Sequence, residues 1–245
     1  MNLSSILIND TIKVISVIGA GGKTNFLRTL AAENRDTKKI LLTSTVNMER
    51  IPESEVDFID YEYRDDYLLC DFNTHGVYVL SQDLDNTNRM RGLQLSEIDE
   101  QIPCFSLSLI ECDQSMQRNL KAWRENEPII SELTDMTVGL LDISAIGRIV
   151  NVDNIHNLDI FIDLTGKEAG SVISKDDLIQ MVVHPDMMFK GAKGTKVLFV
   201  NKAEGTYLKG LAHGLAAELK DSSIDIIIVG SLLKKHYEVI KGNQP

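Results

Sequence analysis

The chain has 245 residues, 43% of them hydrophobic and 25% charged, with 25 Lys and Arg against 36 Asp and Glu for a formal net charge of −11. That is the composition of an ordinary globular protein with length for a full core, and its acidic balance argues against a broad nucleic-acid surface, which needs Lys and Arg to neutralise phosphates. No stretch approaches the roughly 20 apolar residues of a membrane span, and MNLSSILINDTIK lacks the basic flank and small-residue cleavage site of a secretory signal, so a cytoplasmic location without membrane contact is expected.

KVISVI (13–18) is a near-continuous apolar run, the pattern of a strand covered on both faces in a parallel sheet. It enters GAGGKT (19–24). There Gly19, Gly21 and Gly22, with Ala20, let backbone N–H groups converge on a phosphate, Lys23 can reach the β- and γ-phosphates, and Thr24 can offer its hydroxyl to Mg²⁺. The following helix, TNFLRTLAAENR (24–35), adds its dipole. The full consensus GxxxxGK[ST] has glycine where this chain has Val17, so the loop is a variant, supported by its place between an apolar strand and a helix. A dinucleotide-binding GxGxxG turn is the rival use of such glycines, but the third glycine is missing. KKILLTST (38–45) completes a βαβ unit and puts the hydroxyls of Thr43, Ser44 and Thr45 on the rim where open α/β sheets bind ligands.

From about 50 to 103 the chain is polar, acidic and aromatic, with YEYRDDY (61–67) and a strand GVYVLS (76–81), and reads as an insertion or an antiparallel edge. CFSLSLIECD (104–113) then closes an apolar run on two carboxylates. P-loop proteins hold Mg²⁺ through a carboxylate at such a strand end, so Asp113 is expected on the metal side and Glu111 to position water or substrate. Their i, i+2 spacing puts both on one face. A helix through Arg118, Lys121 and Arg124 would carry a basic stripe able to meet an anionic ligand or an acidic partner, although such stripes are commonly solvated salt-bridge faces.

A strand MTVGLLDI (136–143) follows, then a helix from Ser174 to Val183 with Ser174 as its N-cap, Asp177 in the first turn and Pro185 as its stop. Lys190, Lys193 and Lys196 alternate with glycines in a loop able to close over phosphates. After the strand KVLFV (196–200), NKAE (201–204) resembles the NKxD element of GTP-binding proteins. Glu204 would accept hydrogen bonds from the N1–H and amine of guanine, and Asn201 and Lys202 would orient the loop. A helix (206–220), the strand SIDIIIVG (223–230), VGSLL (229–233) as a source of backbone contacts to a base, and a last helix (231–240) complete the chain. Cys70, Cys104 and Cys112 are odd in number and never form CxxC, which predicts reduced, mostly buried thiols. The five histidines show no metal spacing, and no GxSxG elbow is present.

Without repeats or linkers, the β/α alternation predicts a single domain spanning 1–245. Its expected fold is a three-layer α/β/α, P-loop NTPase-like arrangement around a mostly parallel sheet, decorated at about 50–103. Taken in order, VIGAGGKTNFL (17–27), LLTSTVNM (41–48), IECDQS (110–115), LKAW with ENEPII (120–130), VGLLDISAIGR (138–148) and KGAKGTKVLFVNKAE (190–204) resemble segments of the YqeC family. That family comprises accessory proteins of selenium-dependent molybdenum hydroxylases. The chain departs from its pattern at Asn47 and Asn126, which replace histidine, and at Gln114, Trp123 and Glu204, which replace glycine, proline and aspartate.

The expected function is Mg²⁺-dependent binding and slow hydrolysis of a purine nucleoside triphosphate, GTP or ATP. The resemblance implies a role in maturing a molybdenum hydroxylase or its pterin cofactor. A small-molecule kinase or nucleotidyltransferase, and a non-catalytic scaffold with a degenerate P-loop, are the alternatives.

Overall fold

The structure, a computed structural model, describes residues 2–63, 68–71 and 73–242; residues 64–67 of YEYRDDY lie outside the described residues. In chain order, α1 (Ser4–Leu7) precedes β1 (Val14–Gly19), α2 (Lys23–Asn34), β2 (Lys39–Ser44), β3 (Phe58–Asp60) and β4 (Gly76–Leu80). The short strands β5 (Asp83–Leu84) and β6 (Met90–Arg91) come next, then α3 (Leu95–Gln101), β7 (Leu107–Glu111), β8 (Leu120–Lys121) and β9 (Met136–Asp142). The chain finishes through β10 (Ile155–His156), α4 (Leu158–Thr165), α5 (Lys175–Val183), β11 (Thr195–Asn201), α6 (Gly205–Glu218), β12 (Ile226–Ser231) and β13 (His236–Lys241).

Nine of these strands form one sheet in the order β13-β12-β11-β9-β1-β7-β2-β4-β3, parallel except for β13. Every residue of β1, β2, β7 and β9 is buried. Alternation divides them between two cores, as Leu41 packs on one face while Ile40 and Leu42 pack on the other. Phe26, Leu27 and Leu30 of α2 cover one face; Phe161, Leu178, Met181 and Leu215 from α4, α5 and α6 cover the other. The result is the expected three-layer α/β/α arrangement. Capping behaves as the sequence implies at α5, where Ser174 and Asp177 form a reciprocal capping box and His184, before Pro185, is the C-cap.

Several expectations are corrected. The segment 50–103 does not supply an antiparallel edge: β4 pairs parallel with β2, and β3 parallel with β4, extending the main sheet. The antiparallel strand is β13 at the opposite edge, where a helix was expected over 231–240. HYEVIK alternates, and Tyr237 is buried with its ring 5.9 Å from that of Phe199, so pairing with the open edge of β12 overrides helix propensity. Leu233, in the turn, is 77% exposed and belongs to no helical stripe.

Arg118, Lys121 and Arg124 lie on no helix either. Lys121 sits in β8, fully buried, paired with Asp113 at 3.4 Å and Glu127 at 3.2 Å. Lys193 and Lys196 lie at the amino ends of the strands, with Lys193 paired to Glu132 and Thr195 in register with Met136, and so stand away from the phosphate loop at the carboxyl ends. Cys70 and Cys104, expected as thiols, are joined in a disulfide with Cα atoms 4.4 Å apart; sequence spacing could not show two residues brought together by the fold. Cys112 is free and buried, and burial pushes its pKa up to about 12.

Candidate functional site

The sheet order places β1 at a switch point between β7 and β9, and ligands of open α/β sheets bind at the carboxyl ends there. β1 runs through Val17, which is buried and in register with Glu111 and Val138, as far as Gly19. The loop proper is therefore only Ala20–Gly22 before α2 begins at Lys23. Gly19 has φ 95°, and a Cβ there would lie 2.3 Å from the Leu140 carbonyl oxygen; at Gly21, φ 94°, it would lie 2.6 Å from the Asp142 Cβ. Neither position tolerates a side chain.

Gly19 N–H donates to Asp113 Oδ2 at 2.9 Å and Ala20 N–H to the Leu140 carbonyl at 3.0 Å. Among the described residues, the N–H groups of Gly21, Gly22, Lys23, Thr24 and Asn25 have no acceptor, the first bond of the turn being Phe26 N–H to Gly22 O. Five donors at a helix N-terminus form a cradle suited to an anion.

Below the cradle the charges are dense. Lys23 Nζ donates to Gly19 O at 2.8 Å and Ser115 Oγ at 3.3 Å, and pairs with Asp113 at 3.2 Å and Glu111 at 3.6 Å. Burial opposes the ammonium, but the Asp113 and Glu111 carboxylates outweigh it and raise the Lys23 pKa. Burial likewise works against the Asp113 carboxylate. Lys23, Lys121, the Gly19 N–H and the Trp123 indole, whose Nε1 is 2.5 Å from Oδ2, together hold its pKa below the usual value. For Glu111 burial prevails and its pKa is raised, although Lys23 and the Thr24 hydroxyl, 2.9 Å from Oε2, favour its charge.

Thr24 and Glu111 thus stand side by side on the cleft floor, while Asp113 is fully buried beneath. A hydroxyl beside a carboxylate fits Mg²⁺, which takes one or two protein oxygens and completes its shell with phosphates and water. Of the expected strand-end hydroxyls, Thr43 and Ser44 are buried and Thr45 is half-buried. Thr43 donates to Leu80 O at 2.8 Å, Ser44 to Glu111 O at 2.9 Å, and Thr45 lies 3.4 Å from Ile129 O.

At the other end, NKAE follows β11 as expected. Asn201 Nδ2 donates to Gly21 O at 2.7 Å while its Oδ1 accepts from Leu232 N–H at 3.1 Å, tying the phosphate loop to the β12–β13 turn. Ser231 Oγ donates to Glu204 Oε1 at 2.7 Å, and Ala203 N–H to Gly230 O at 3.0 Å, so VGSLL and NKAE form one wall. Lys202 pairs with Asp142 at 2.6 Å, and the same carboxylate accepts from Asn119 at 2.8 Å and from Ser144. Asp142 was not singled out from the sequence, although an acidic residue ending the apolar run MTVGLLD is the same signal that drew attention to Asp113.

A cleft of about 1080 Å³ joins these pieces, lined by Gly21–Thr24, Glu111, Asn201, Lys202 and Glu204. Glu111 and the NKAE side chains therefore share one cavity, whereas Asp113, Gly19 and Ala20 support it from below. Among the described residues, no helix is long and apolar enough to cross a membrane.

Residues 15–159 match the YqeC protein family. A relative described as uncharacterized protein YqeC, from Escherichia coli (strain K12), is 30% identical over 196 residues, covering 77% of this chain and 75% of the relative. No solved structure matches the chain. With the family matched across the Gly19–Thr24 loop, the acidic strand and the segment that follows it, the chain belongs to the YqeC family.

Proposed function

We propose that the chain binds a purine nucleoside triphosphate, GTP or ATP, with Mg²⁺, and uses its slow hydrolysis to act as an accessory protein in maturing a molybdenum hydroxylase. The carrying observation is the row of five backbone donors from Gly21 to Asn25, opening into the cleft that ends at Asn201–Glu204. In this reading the cradle and Lys23 hold the phosphates, and Thr24 and Glu111 hold the metal. Asp113, expected at the metal, fixes Lys23 and the strand–loop junction from below. Glu204, oriented by Ser231, meets the base.

The test is calorimetric titration of GTP, ATP and CTP with and without Mg²⁺. Binding of one purine nucleotide is expected to need Mg²⁺ and to weaken by about tenfold or more in Lys23→Ala, the scale of one charge-assisted hydrogen bond. Absence of binding by all three at millimolar concentration overturns the reading and favours a scaffold; transfer to an acceptor in place of release of phosphate favours a kinase or nucleotidyltransferase. The accessory role is supported by the family resemblance, and is tested by molybdenum hydroxylase activity in cells lacking the protein, with wild type and Lys23→Ala supplied back.

A further inference from the structure

We propose that the cleft holds a second ligand, a phosphate-bearing small molecule, gripped by Arg89 and Arg118 on the side of the phosphate loop opposite the base. The sheet order sets the geography: β11 and β12, which carry the NKAE wall, lie on one side of β1, and β7, β2 and β4 on the other. Arg89, Gln114 and Arg118 line the cleft from segments that follow β7 and β4.

The cations of the cleft differ in what they face. Lys23, Arg28 and Lys202 each meet a carboxylate, in Asp113, Glu55 and Asp142. Arg89 and Arg118 meet none within 4.0 Å among the described residues, and Asp85, near Arg89, is occupied by Thr87 and by the Arg89 backbone N–H. Lys235, also without a carboxylate partner, belongs to the β12–β13 turn at the base end.

Arg89 is held by its side chain before any ligand arrives, and Arg118 by its backbone. Arg89 Nη2 donates to Asn47 O at 3.0 Å, and that carbonyl also takes Gln114 Nε2 at 3.4 Å, which sets the guanidinium beside Gln114; Arg89 Nε is buried without a partner. Arg118 closes a turn by donating its N–H to Ser115 O at 2.9 Å. The central residues of that turn, Met116 and Gln117, have φ 50° and 59°, a left-handed conformation that costs a non-glycine residue about 1–2 kcal/mol. Gln117 is tied to Glu49 at 2.8 Å, and Ser115 accepts from Lys23. Backbone strain on a cleft wall, next to the loop lysine, is the kind that a binding site retains.

Planar guanidinium groups match the oxygens of a phosphate dianion, and holding that of Arg89 in advance lowers the entropy lost on binding. A cleft of about 1080 Å³ lies just above the roughly 300–1,000 Å³ of single-ligand pockets. The inference rests on the nucleotide reading for what occupies the loop, and not for the arginine pair itself.

The test uses inorganic phosphate as the probe, titrated at constant ionic strength into the full chain. Lys23→Ala, which disables the loop, is expected to retain a phosphate site. Arg118→Gln, which leaves the Asn47 carbonyl bonded, is expected to weaken it severalfold. Adding Arg89→Gln should weaken it by about tenfold or more, with circular dichroism and thermal midpoint checking that each variant is folded. The arginine double variant should still bind the Mg²⁺–purine nucleotide within about threefold of wild type, well under the tenfold that marks a lost contact. Loss of all phosphate binding in Lys23→Ala, unchanged binding in the arginine variants, or equal loss of nucleotide and phosphate in them overturns the proposal. Failure of wild type to bind any nucleotide leaves the arginine result standing and sinks only the nucleotide reading.

Discussion

Asp113, just past β7, and Asp142, the last residue of β9, are both fully buried carboxylates that hold a lysine of the same cleft, yet they hold it under different conditions. The Lys23 side chain is 3% exposed and set among two carboxylates, whereas that of Lys202 is 43% exposed and has one. Asp113 also anchors Lys121, the Gly19 N–H and Trp123; Asp142 anchors Asn119 and the short turn at Ser144. The Gly19–Thr24 end is thus a nearly closed ionic knot whose charges are almost wholly buried. The Asn201–Glu204 end has a pair with one partner in solvent.

The largest effect expected from this contrast is in Asp113→Asn, which leaves Lys23 and Lys121 buried with less compensation and should cost about 3–5 kcal/mol in urea unfolding. Asp142→Asn can keep the bonds from Ser144, loses those from Asn119 and Lys202 because an amide nitrogen does not accept, leaves a half-solvated lysine, and should cost about 1–3 kcal/mol in the same assay; equality of the two would break the contrast. Lys202→Met leaves the buried Asp142 carboxylate held only by Asn119 and Ser144, and should likewise cost about 1–3 kcal/mol.

The smallest effect sharpens the contrast within the Gly19–Thr24 end. The raised pKa of Glu111 means that its surroundings favour the neutral form, so Glu111→Gln should be neutral or stabilising by up to about 1 kcal/mol at pH 7 while removing the Mg²⁺ dependence of nucleotide binding. Acid titration separates the two carboxylates. The folded pKa of Asp113 lies below its ordinary 3.8, so its stabilisation is full above that value and is lost as the pH falls through the lower folded one. Glu111 runs the other way: its folded pKa lies above 4.5, so its contribution is present below 4.5 and lost as the pH rises through the folded value. The difference in stability between wild type and Asp113→Asn should therefore be widest near neutrality and shrink at the acid end.

Much of this site was legible from local pattern. GAGGKT needed glycines at Gly19 and Gly21 because the carboxyl end of β9 presses against both, and the ordered run of strand, loop and helix announced it. NKAE was legible as the segment after an apolar strand, but its bonds to the 229–233 segment, Ser231 to Glu204 and Leu232 N–H to Asn201, were not. Legibility failed where long-range partners decide. Lys121 looks like a surface cation from its neighbours Arg118 and Arg124, and is buried because Asp113 and Glu127 come to meet it. Which of Glu111 and Asp113 faces the cleft depends on how the chain turns after β7, as Asp113 is drawn under Gly19 and Trp123.

By itself the sequence determined the three-layer α/β/α order and the strand–turn–helix at 13–35. Apolar periodicity, glycine and caps act over a few residues and are written in consecutive letters. Only the tertiary structure decided the parallel pairing of β3 and β4, the return of 236–241 as an edge strand, the Cys70–Cys104 bond and the burial of Asp113, Lys121 and Asp142. Each of those is a contact between segments distant in the chain, whose free energy depends on which surface is left open once the central sheet has formed.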